Sequence, residues 1–413
     1  MKAFFTALCL AVLLSLTVQA AVSQKPQEAA PPEPAKPVAA LVSKPLPDAK
    51  PTPTALDGPV PEAPKIAAKA HILMEFESGQ SLGENNADER LEPASLTKIM
   101  TAYVVFRELA QGKVKLDDQV FISEKAWRTG GSKSFVEVNK KIRLEDLLKG
   151  MLIQSGNDAS VALAEHLAGG EDTFVLMMNH EAQRLGMTNT HFVNSDGLPK
   201  PDHYSSARDM ARLAAATIRD FPDFYAWYAI KEFTHHGIKQ HNRNRLLWQD
   251  ESVDGIKTGH TEGAGFCLVT SAKRENLRMI SVVFGASGDS ARAQESQKLL
   301  NYGFRFFEAY RLAAAGSELQ KIRVWKGQQR ELSAGVIQAQ NLAVPRNQVK
   351  HLETRVIPQP RLMAPVEQGQ TVGEIMVFLK GKEIGRFPLQ ALEEVPAGSW
   401  WRWLIDTVLL WFQ

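Results

Sequence analysis

Ser95 and Lys98 stand three positions apart at the start of an amphipathic run that follows Pro93-Ala94. Residues at this spacing lie on one face of a helix, so the Lys98 amine can reach the Ser95 hydroxyl. A serine hydroxyl is a poor nucleophile until a base takes its proton. Lys98 can be that base only when neutral, and the helix dipole and a second cation such as Lys257 in a desolvated cleft would both lower its pKa. The pair therefore predicts a serine nucleophile with a lysine base.

Two further motifs follow in order, Ser155-Gly156-Asn157 and Lys257-Thr258-Gly259. The first motif alone occurs often by chance, with an exposed Lys at a helix start, but the ordered triplet is specific. It resembles the set of the penicillin-recognising serine acyl-transferases. The residues around the second and third motifs, 154–159 and 254–261, resemble the low-molecular-mass penicillin-binding proteins that are D-alanyl-D-alanine carboxypeptidases. The resemblance runs from about Ile66 to the C-terminus.

The resemblance implies a role for each motif residue. Ser95 would attack the D-Ala-D-Ala peptide bond to give an acyl-enzyme, with Lys98 as the base. Ser155 would relay a proton to the departing amine, and Asn157 would hold the substrate amide. Ser155 and Asn157 could also belong to a helix-capping turn, since both residue types favour caps, and the two interpretations can hold together.

The third motif predicts an edge strand beside the nucleophile. Gly259 would leave room for the substrate backbone, and Lys257 would add positive potential where an anion binds. Two backbone N–H groups, those of Ser95 and His260, are the expected oxyanion hole.

A carboxypeptidase must also bind a free terminal carboxylate, which a bidentate Arg does well. Arg292 matches the family's carboxylate-binding Arg, with Thr258 assisting, although an exposed Arg at a helix start is the alternative. Arg243 also matches the family pattern, and we expect it to support these residues.

No cofactor or metal is expected. His235, His236 and His241 cluster by number, but no zinc-binding pattern such as H-E-x-x-H accompanies them. Cys267 lies in a strand-like apolar run, so a buried small hydrophobe is favoured over a nucleophile.

Three other functions compete with the carboxypeptidase. A β-lactamase needs a group that activates the deacylating water, and the Glu-x-x-Leu-Asn loop that supplies it is absent between Asn157 and Lys257. A DD-endopeptidase acting on peptidoglycan cross-links is not excluded by any motif. A non-catalytic wall-binding scaffold is disfavoured because Ser95 and Lys98 are both intact.

The N-terminus predicts export. Residues 1–20 combine Lys2, an apolar core and small residues before the cut, as in a signal peptide. Residues 21–65 form a Pro/Ala-rich linker, and Cys267 is then the single cysteine left, so no internal disulfide is expected. A net charge of +2 gives no support for nucleic-acid binding.

The coarse pattern predicts an α+β fold with an antiparallel sheet flanked by helices over residues 66–316, as in the penicillin-binding and β-lactamase-like transpeptidase domain. Strands are expected from Ala67 to Phe76 and on both sides of 273–276, and a helix from about Ala291 to Tyr310. A small all-β domain should follow over 317–395, with a hairpin within 375–387.

Residues 396–413 predict a C-terminal amphipathic helix, too short to cross a bilayer. Arg402 and Asp406 would form an i,i+4 pair on a narrow polar side, opposite Trp and aliphatic residues suited to a membrane interface. A helix docked on its own protein is the alternative. The expected partners are therefore a peptidoglycan stem pentapeptide, β-lactams as inhibitors, and the outer face of the cytoplasmic membrane, with the exported protein peripheral on the periplasmic side.

Overall fold

The structure is a computed structural model that describes residues 60–235 and 237–411. The predicted signal peptide, most of the predicted linker, His236, Phe412 and Gln413 lie outside the described residues. The end of the predicted linker belongs to the folded domain. Val60 and Ala63 pack against its apolar core, and the Tyr302 hydroxyl donates to the Pro61 carbonyl at 2.9 Å.

A five-stranded antiparallel sheet forms the centre of the first domain, in the order β2-β1-β9-β8-β7. Its strands β8 and β9 are apolar and buried along most of their length, because helices cover both faces. β7 lies at one edge. The predicted antiparallel sheet is confirmed. The strands of this domain are β1 Ala70–Glu75, β2 Ser81–Asn85, β3 Gln119–Phe121, β4 Lys141–Arg143, β5 Glu232–His235, β6 Ile238–His241, β7 Val253–Thr261, β8 Gly265–Arg274 and β9 Leu277–Ala286.

The helices that flank the sheet include one, α1, that is buried almost all round. Its residues from Thr97 to Phe106 are all buried, which is typical of a core helix and gives its first turn a rigid base. The helices are α1 Thr97–Ala110, α2 Glu124–Arg128, α3 Leu144–Lys149, α4 Asn157–Ala168, α5 Glu171–Arg184, α6 Ala207–Asp220, α7 Pro222–Tyr225, α8 Leu246–Gln249 and α9 Asp289–Phe306.

The last helix of this domain is shorter than the sequence indicates. α9 ends at Phe306, and the next residues form a strand that pairs antiparallel with residues 340–345. The predicted helix to Tyr310 is therefore wrong at its C-terminal end, because pairing with a distant strand outweighs the local helix propensity of residues such as Glu308 and Ala309. The strands of the second domain begin at Phe307, before the position 317 that the sequence pattern indicates.

The second domain is all-β, with a five-stranded sheet in the order β11-β12-β16-β15-β14 and a β10-β13 pair. The predicted hairpin is confirmed: Leu379 pairs with Lys382 across a two-residue turn. Both turn residues, Lys380 and Gly381, have positive φ, as a type I′ turn requires. The strands are β10 Phe307–Ala313, β11 Glu318–Arg323, β12 Glu331–Gly335, β13 Gln340–Pro345, β14 Leu352–Pro358, β15 Thr371–Leu379 and β16 Lys382–Ala391.

A final helix, α10 (Trp400–Trp411), docks on the second domain through its polar side. The Lys326 backbone N–H donates to Asp406 Oδ2 at 2.6 Å, and Arg402 Nη1 donates to the Gln328 carbonyl at 3.1 Å. The predicted Arg402–Asp406 pair is therefore wrong, because both side chains bond to the 326–328 backbone instead. Among the described residues, no helix has the length and apolar character needed to cross a membrane.

Candidate active site

Ser95 lies in a 3-10 turn, Ala94–Leu96, that leads directly into α1. Lys98, in the first turn of α1, is 0% exposed, and its Nζ lies 2.9 Å from Ser95 Oγ. The predicted approach of the two side chains is confirmed. A buried amine within hydrogen-bond distance of a hydroxyl has the geometry of a nucleophile with its base.

The backbone just before Ser95 is strained. Ala94 has φ +47°, a left-handed conformation that costs a non-glycine residue roughly 1–2 kcal/mol. Gly197, with φ +86°, packs against it so closely that a Cβ there would lie 1.9 Å from the Ala94 carbonyl oxygen. Strain of this kind persists only where surrounding contacts impose it, and it is common at active sites.

Burial lowers the pKa of Lys98 to about 8. The Asp196 and Asp158 carboxylates oppose this effect, while the cation of Arg243 adds to it. Lys98 also donates a hydrogen bond to the Asp196 carbonyl oxygen. About a tenth of the amine is therefore neutral at pH 7, far more than for an ordinary Lys, and a general base requires the neutral form.

Ser155 and Asn157 flank a sharp change of direction. A π-helical turn, Gly150–Gln154, ends at Ser155, which has φ +70°, and Gly156 is the N-cap of α4 with no side-chain cap. Ser155 is thus the C-cap of the π-helical turn, as the capping interpretation expects, whereas Asn157 is the first residue of α4 and not its cap. Asn157 Nδ2 donates to the Gly130 carbonyl at 2.7 Å.

Two polar atoms of this turn have no hydrogen-bond partner among the described residues. They are Ser155 Oγ and Asn157 Oδ1, and both are buried. Most buried polar atoms are paired, so an unpaired one needs an explanation. Their position, together with the π-helical turn, is consistent with groups kept for a ligand.

Lys257, Thr258 and Gly259 lie on β7, and the predicted edge strand is confirmed. Lys257 is 2% exposed, and its pKa is lowered well below the ordinary range by burial and then by the cations of Lys98, Arg243 and Arg292. A Cβ at Gly259 would lie 3.0 Å from the Pro93 carbonyl oxygen. The glycine therefore lets β7 approach the turn that carries the nucleophile.

Arg292 lies in the first turn of α9 but is only 6% exposed, so it is not the exposed Arg of the alternative interpretation. Its Nη1 donates to the Gly259 carbonyl at 3.0 Å, and its Nη2 bonds to Asp289. The guanidinium thus stabilises β7 through its hydrogen bond to the Gly259 carbonyl. By contrast, Arg243 is exposed and makes no hydrogen bond or ion pair to the described residues.

His260 follows on β7 and is exposed, with its ring 4.1 Å from that of Phe266. His241 Nδ1 lies 3.2 Å from Glu232 Oε1 in the β5–β6 hairpin. Within residues 60–235 and 237–411, no group of three His, Cys, Asp or Glu side chains is placed to hold a metal ion. Cys267 is a buried strand residue, as predicted.

The sequence analysis missed the turn Asn194–Leu198, which contacts both Lys98 and Ala94. The only signal in the sequence is its composition, Asn-Ser-Asp-Gly, which indicates a tight turn. Nothing local indicates that this turn lies against a lysine 98 positions away.

Comparison with known proteins gives two family matches. Residues 58–288 match the model described as D-alanyl-D-alanine carboxypeptidase, and residues 307–397 match the C-terminal domain of penicillin-binding protein 5. The two matches correspond to the mixed and the all-β domain. They confirm the predicted fold class.

The alignments with similar proteins cover most of this chain and most of each relative. D-alanyl-D-alanine carboxypeptidase DacC of Escherichia coli K12 is 45% identical over 359 residues, covering 85% of this chain and 90% of its own. DacA of the same strain is 44% identical over 361 residues, covering 86% of this chain and 90% of its own. The crystal structure of penicillin binding protein 5 from Haemophilus influenzae matches with a TM-score of 0.73 and 42% identity, covering 82% of this chain and 100% of that chain.

These matches confirm the resemblance indicated by the three motifs, and serine-type D-Ala-D-Ala carboxypeptidase is the activity of this protein. The chain belongs to the D-alanyl-D-alanine carboxypeptidase family.

Proposed function

We propose that this carboxypeptidase removes the terminal D-Ala from peptidoglycan stem pentapeptides through an acyl-enzyme on Ser95. The observation that carries the proposal is the buried Lys98 amine 2.9 Å from Ser95 Oγ, with its pKa lowered to about 8. A hydroxyl beside a neutral amine can lose its proton as it attacks a carbonyl. Without such a base the same serine would be inert.

In the acylation step, Lys98 takes the Ser95 proton while Oγ bonds to the carbonyl carbon of the D-Ala-D-Ala bond. The backbone N–H groups of Ser95 and His260 stabilise the oxyanion. Ser155 gives its proton to the leaving nitrogen and takes the proton held by Lys98, so the C–N bond breaks, D-Ala departs and Lys98 is neutral again. In the second step, Lys98 takes a proton from the water that attacks the ester and gives it to Ser95 Oγ as the acyl–oxygen bond breaks, which regenerates Ser95.

Substrate binding uses both sides of the cleft. Asn157 holds the substrate amide with its unpaired side-chain oxygen. On the other side, Thr258 and Lys257 bind the terminal carboxylate beside Gly259. Arg292 adds positive potential beside β7 and holds the Gly259 carbonyl by a hydrogen bond. Arg243, which makes no hydrogen bond or ion pair to the described residues, adds a further cation near Lys98 and Lys257.

A β-lactam would use the same groups, because it presents an amide carbonyl and a carboxylate at a similar separation. Similar proteins whose names include penicillin binding support this extension. We therefore expect β-lactams to acylate Ser95 and inhibit the enzyme.

The C-terminal helix α10 is proposed to hold the exported protein on the outer face of the cytoplasmic membrane. Its polar residues Arg402 and Asp406 are used in docking on the second domain. Its apolar side chains are exposed, with Trp400 at 65% and Trp411 at 85%. An exposed apolar, Trp-rich helix surface favours the headgroup region of a bilayer.

Labelling tests the nucleophile. A tagged penicillin should form one adduct, on Ser95, and Ser95→Ala should form none and release no D-Ala from a pentapeptide. Ser317→Ala, in a turn of the second domain, is the control and should label as the parent does. Mass spectrometry of the peptides locates the adduct, and an adduct on any other residue would contradict the assignment.

The pH dependence tests Lys98. The acylation rate should rise with pH and level off above about 8, because the base is protonated and inactive below its pKa. Arg243→Gln removes a cation that lowers this pKa, so its plateau should begin at higher pH. The rate constant for penicillin acylation across this pH range is the measurement. A profile that is flat through pH 8, or unmoved in the variant, would exclude this base.

Substrate pairs test the role of Arg292. Arg292→Gln should reduce the preference for a free terminal carboxylate over an amidated one by about tenfold in kcat/KM, since the positive potential that Arg292 adds beside the carboxylate site is lost. Arg245→Gln is the matched control, because Arg245 pairs with the same Asp289 from an exposed position. An unchanged ratio in the Arg292 variant would show that the carboxylate is bound without it.

Removal of residues 400–413 tests the membrane proposal. The truncated protein should be soluble and keep its turnover of small peptides within about twofold, since the helix contributes nothing to the cleft. Asp406→Ala weakens docking but keeps the apolar surface, so that variant should stay with membranes. Cell fractionation measures the membrane association of the truncated protein and of Asp406→Ala. A truncated protein that still sediments with membranes would place the anchor elsewhere.

A further inference from the structure

The turn Asn194–Leu198 holds the Lys98 amine in place. The Asp196 carbonyl oxygen accepts a hydrogen bond from Lys98 Nζ. The neighbouring Ser195 carbonyl is held by two hydroxyls from different helices, Thr101 Oγ1 of α1 and Ser160 Oγ of α4, each at 2.6 Å. The turn therefore has little freedom to move relative to the helix that carries Lys98.

Glu171, at the start of α5, holds the other side of Ser195. Its Oε1 accepts from Ser195 N at 3.1 Å and from Ser195 Oγ at 2.9 Å, and its Oε2 lies 2.8 Å from Lys125 Nζ. Burial acts to raise the pKa of Glu171, but the bonds from Lys125 and Ser195 outweigh burial and hold the pKa below its ordinary value. Glu171 is thus an ionised, buried side chain whose bonds converge on one residue of the turn.

The same turn also packs against the backbone next to the nucleophile Ser95. Gly197 contacts the carbonyl of Ala94, the strained residue next to Ser95. A displacement of Ser195 would therefore move two groups: the Asp196 carbonyl, which contacts Lys98, and Gly197, which contacts Ala94 beside Ser95.

The orientation of the amine determines whether it can act as a base. A neutral amine has two N–H bonds and one lone pair, and only the lone pair can take the serine proton. When one N–H is donated to the Asp196 carbonyl, the lone pair can point toward Ser95 Oγ. An amine without that acceptor would rotate freely, and a smaller fraction of its orientations would be productive.

We propose that Glu171 is a positioning residue for the general base: it fixes Ser195 so that the Asp196 carbonyl orients Lys98 toward Ser95. This inference rests on the proposed role of Lys98. Glu171 does not touch the substrate, and its effect passes through the turn alone.

Helix α5 offers a matched control. Glu181 lies on the same helix, is also buried, and forms ion pairs with Arg107 and Arg184. It makes no hydrogen bond to the Asn194–Leu198 turn among the described residues. Replacing Glu181 removes a buried charge of the same kind without affecting the position of Asp196.

The test compares Glu171→Gln with Glu181→Gln in the full-length protein. Penicillin acylation is measured across pH, together with the melting temperature. Glu171→Gln should lower the plateau rate of acylation at least about tenfold. It should also move the acidic limb, the part of the pH–rate profile that rises as Lys98 loses its proton, to lower pH. The pKa of Lys98 falls because its protonated form loses an oriented carbonyl acceptor. Glu181→Gln should melt at a lower temperature but keep the parent's rate within about twofold and its limb unmoved.

Lys125→Met is a milder variant, since the Lys125 side chain is half-exposed. It removes the ion pair but leaves the Glu171–Ser195 bonds, so its rate should fall less than that of Glu171→Gln, with the limb shifted in the same direction. The inference is overturned if neither variant moves the limb, or if the rate loss in Glu171→Gln equals that in Glu181→Gln. Failure of the parent itself to label on Ser95 would instead refute the proposed function.

Discussion

Burial of the Lys98 amine is the constraint on which the site depends. An ammonium group with no solvent exposure loses its hydration, and the protein replaces that hydration with few partners: a hydroxyl, a backbone carbonyl and distant carboxylates. The result is an amine that exchanges its proton near neutral pH. The all-round burial of α1 and the turn after Val193, whose Asp196 carbonyl contacts the amine, together exclude water from it.

The local part of this arrangement could be predicted from the sequence. The spacing of Ser95 and Lys98 fixes their approach because helix geometry does so without help from the rest of the chain. The edge strand and its glycine are likewise predicted from the third motif, through the resemblance of the three motifs to a known family. Glu171 and Asp196 could not be found, because their contacts join residues far apart in sequence, and neither residue type carries a local signature for such a role.

Where prediction from sequence failed, long-range contacts replaced local ones. The residues after Phe306 form a strand paired with β13 instead of continuing α9. Arg402 and Asp406 bond to the backbone of residues 326–328 in the second domain rather than to each other. In each case the residue type was correct for a local role, and a partner made available by the tertiary fold was stronger.

The edge position of β7 has a consequence for solubility. An open strand edge exposes unpaired backbone groups that a strand of another molecule could join. Here one end is covered by Tyr228, which packs against Gly255, and the other by the turn at Pro93 and Ala94, which packs against Gly259. Between them lies the buried side chain of Lys257, whose Nζ donates to the Thr258 carbonyl at 3.2 Å. Covering an edge strand in this way is one of the means by which natural sheets avoid pairing with a second chain. The packing that closes the two ends of β7 therefore shortens the free edge and limits self-association by strand pairing.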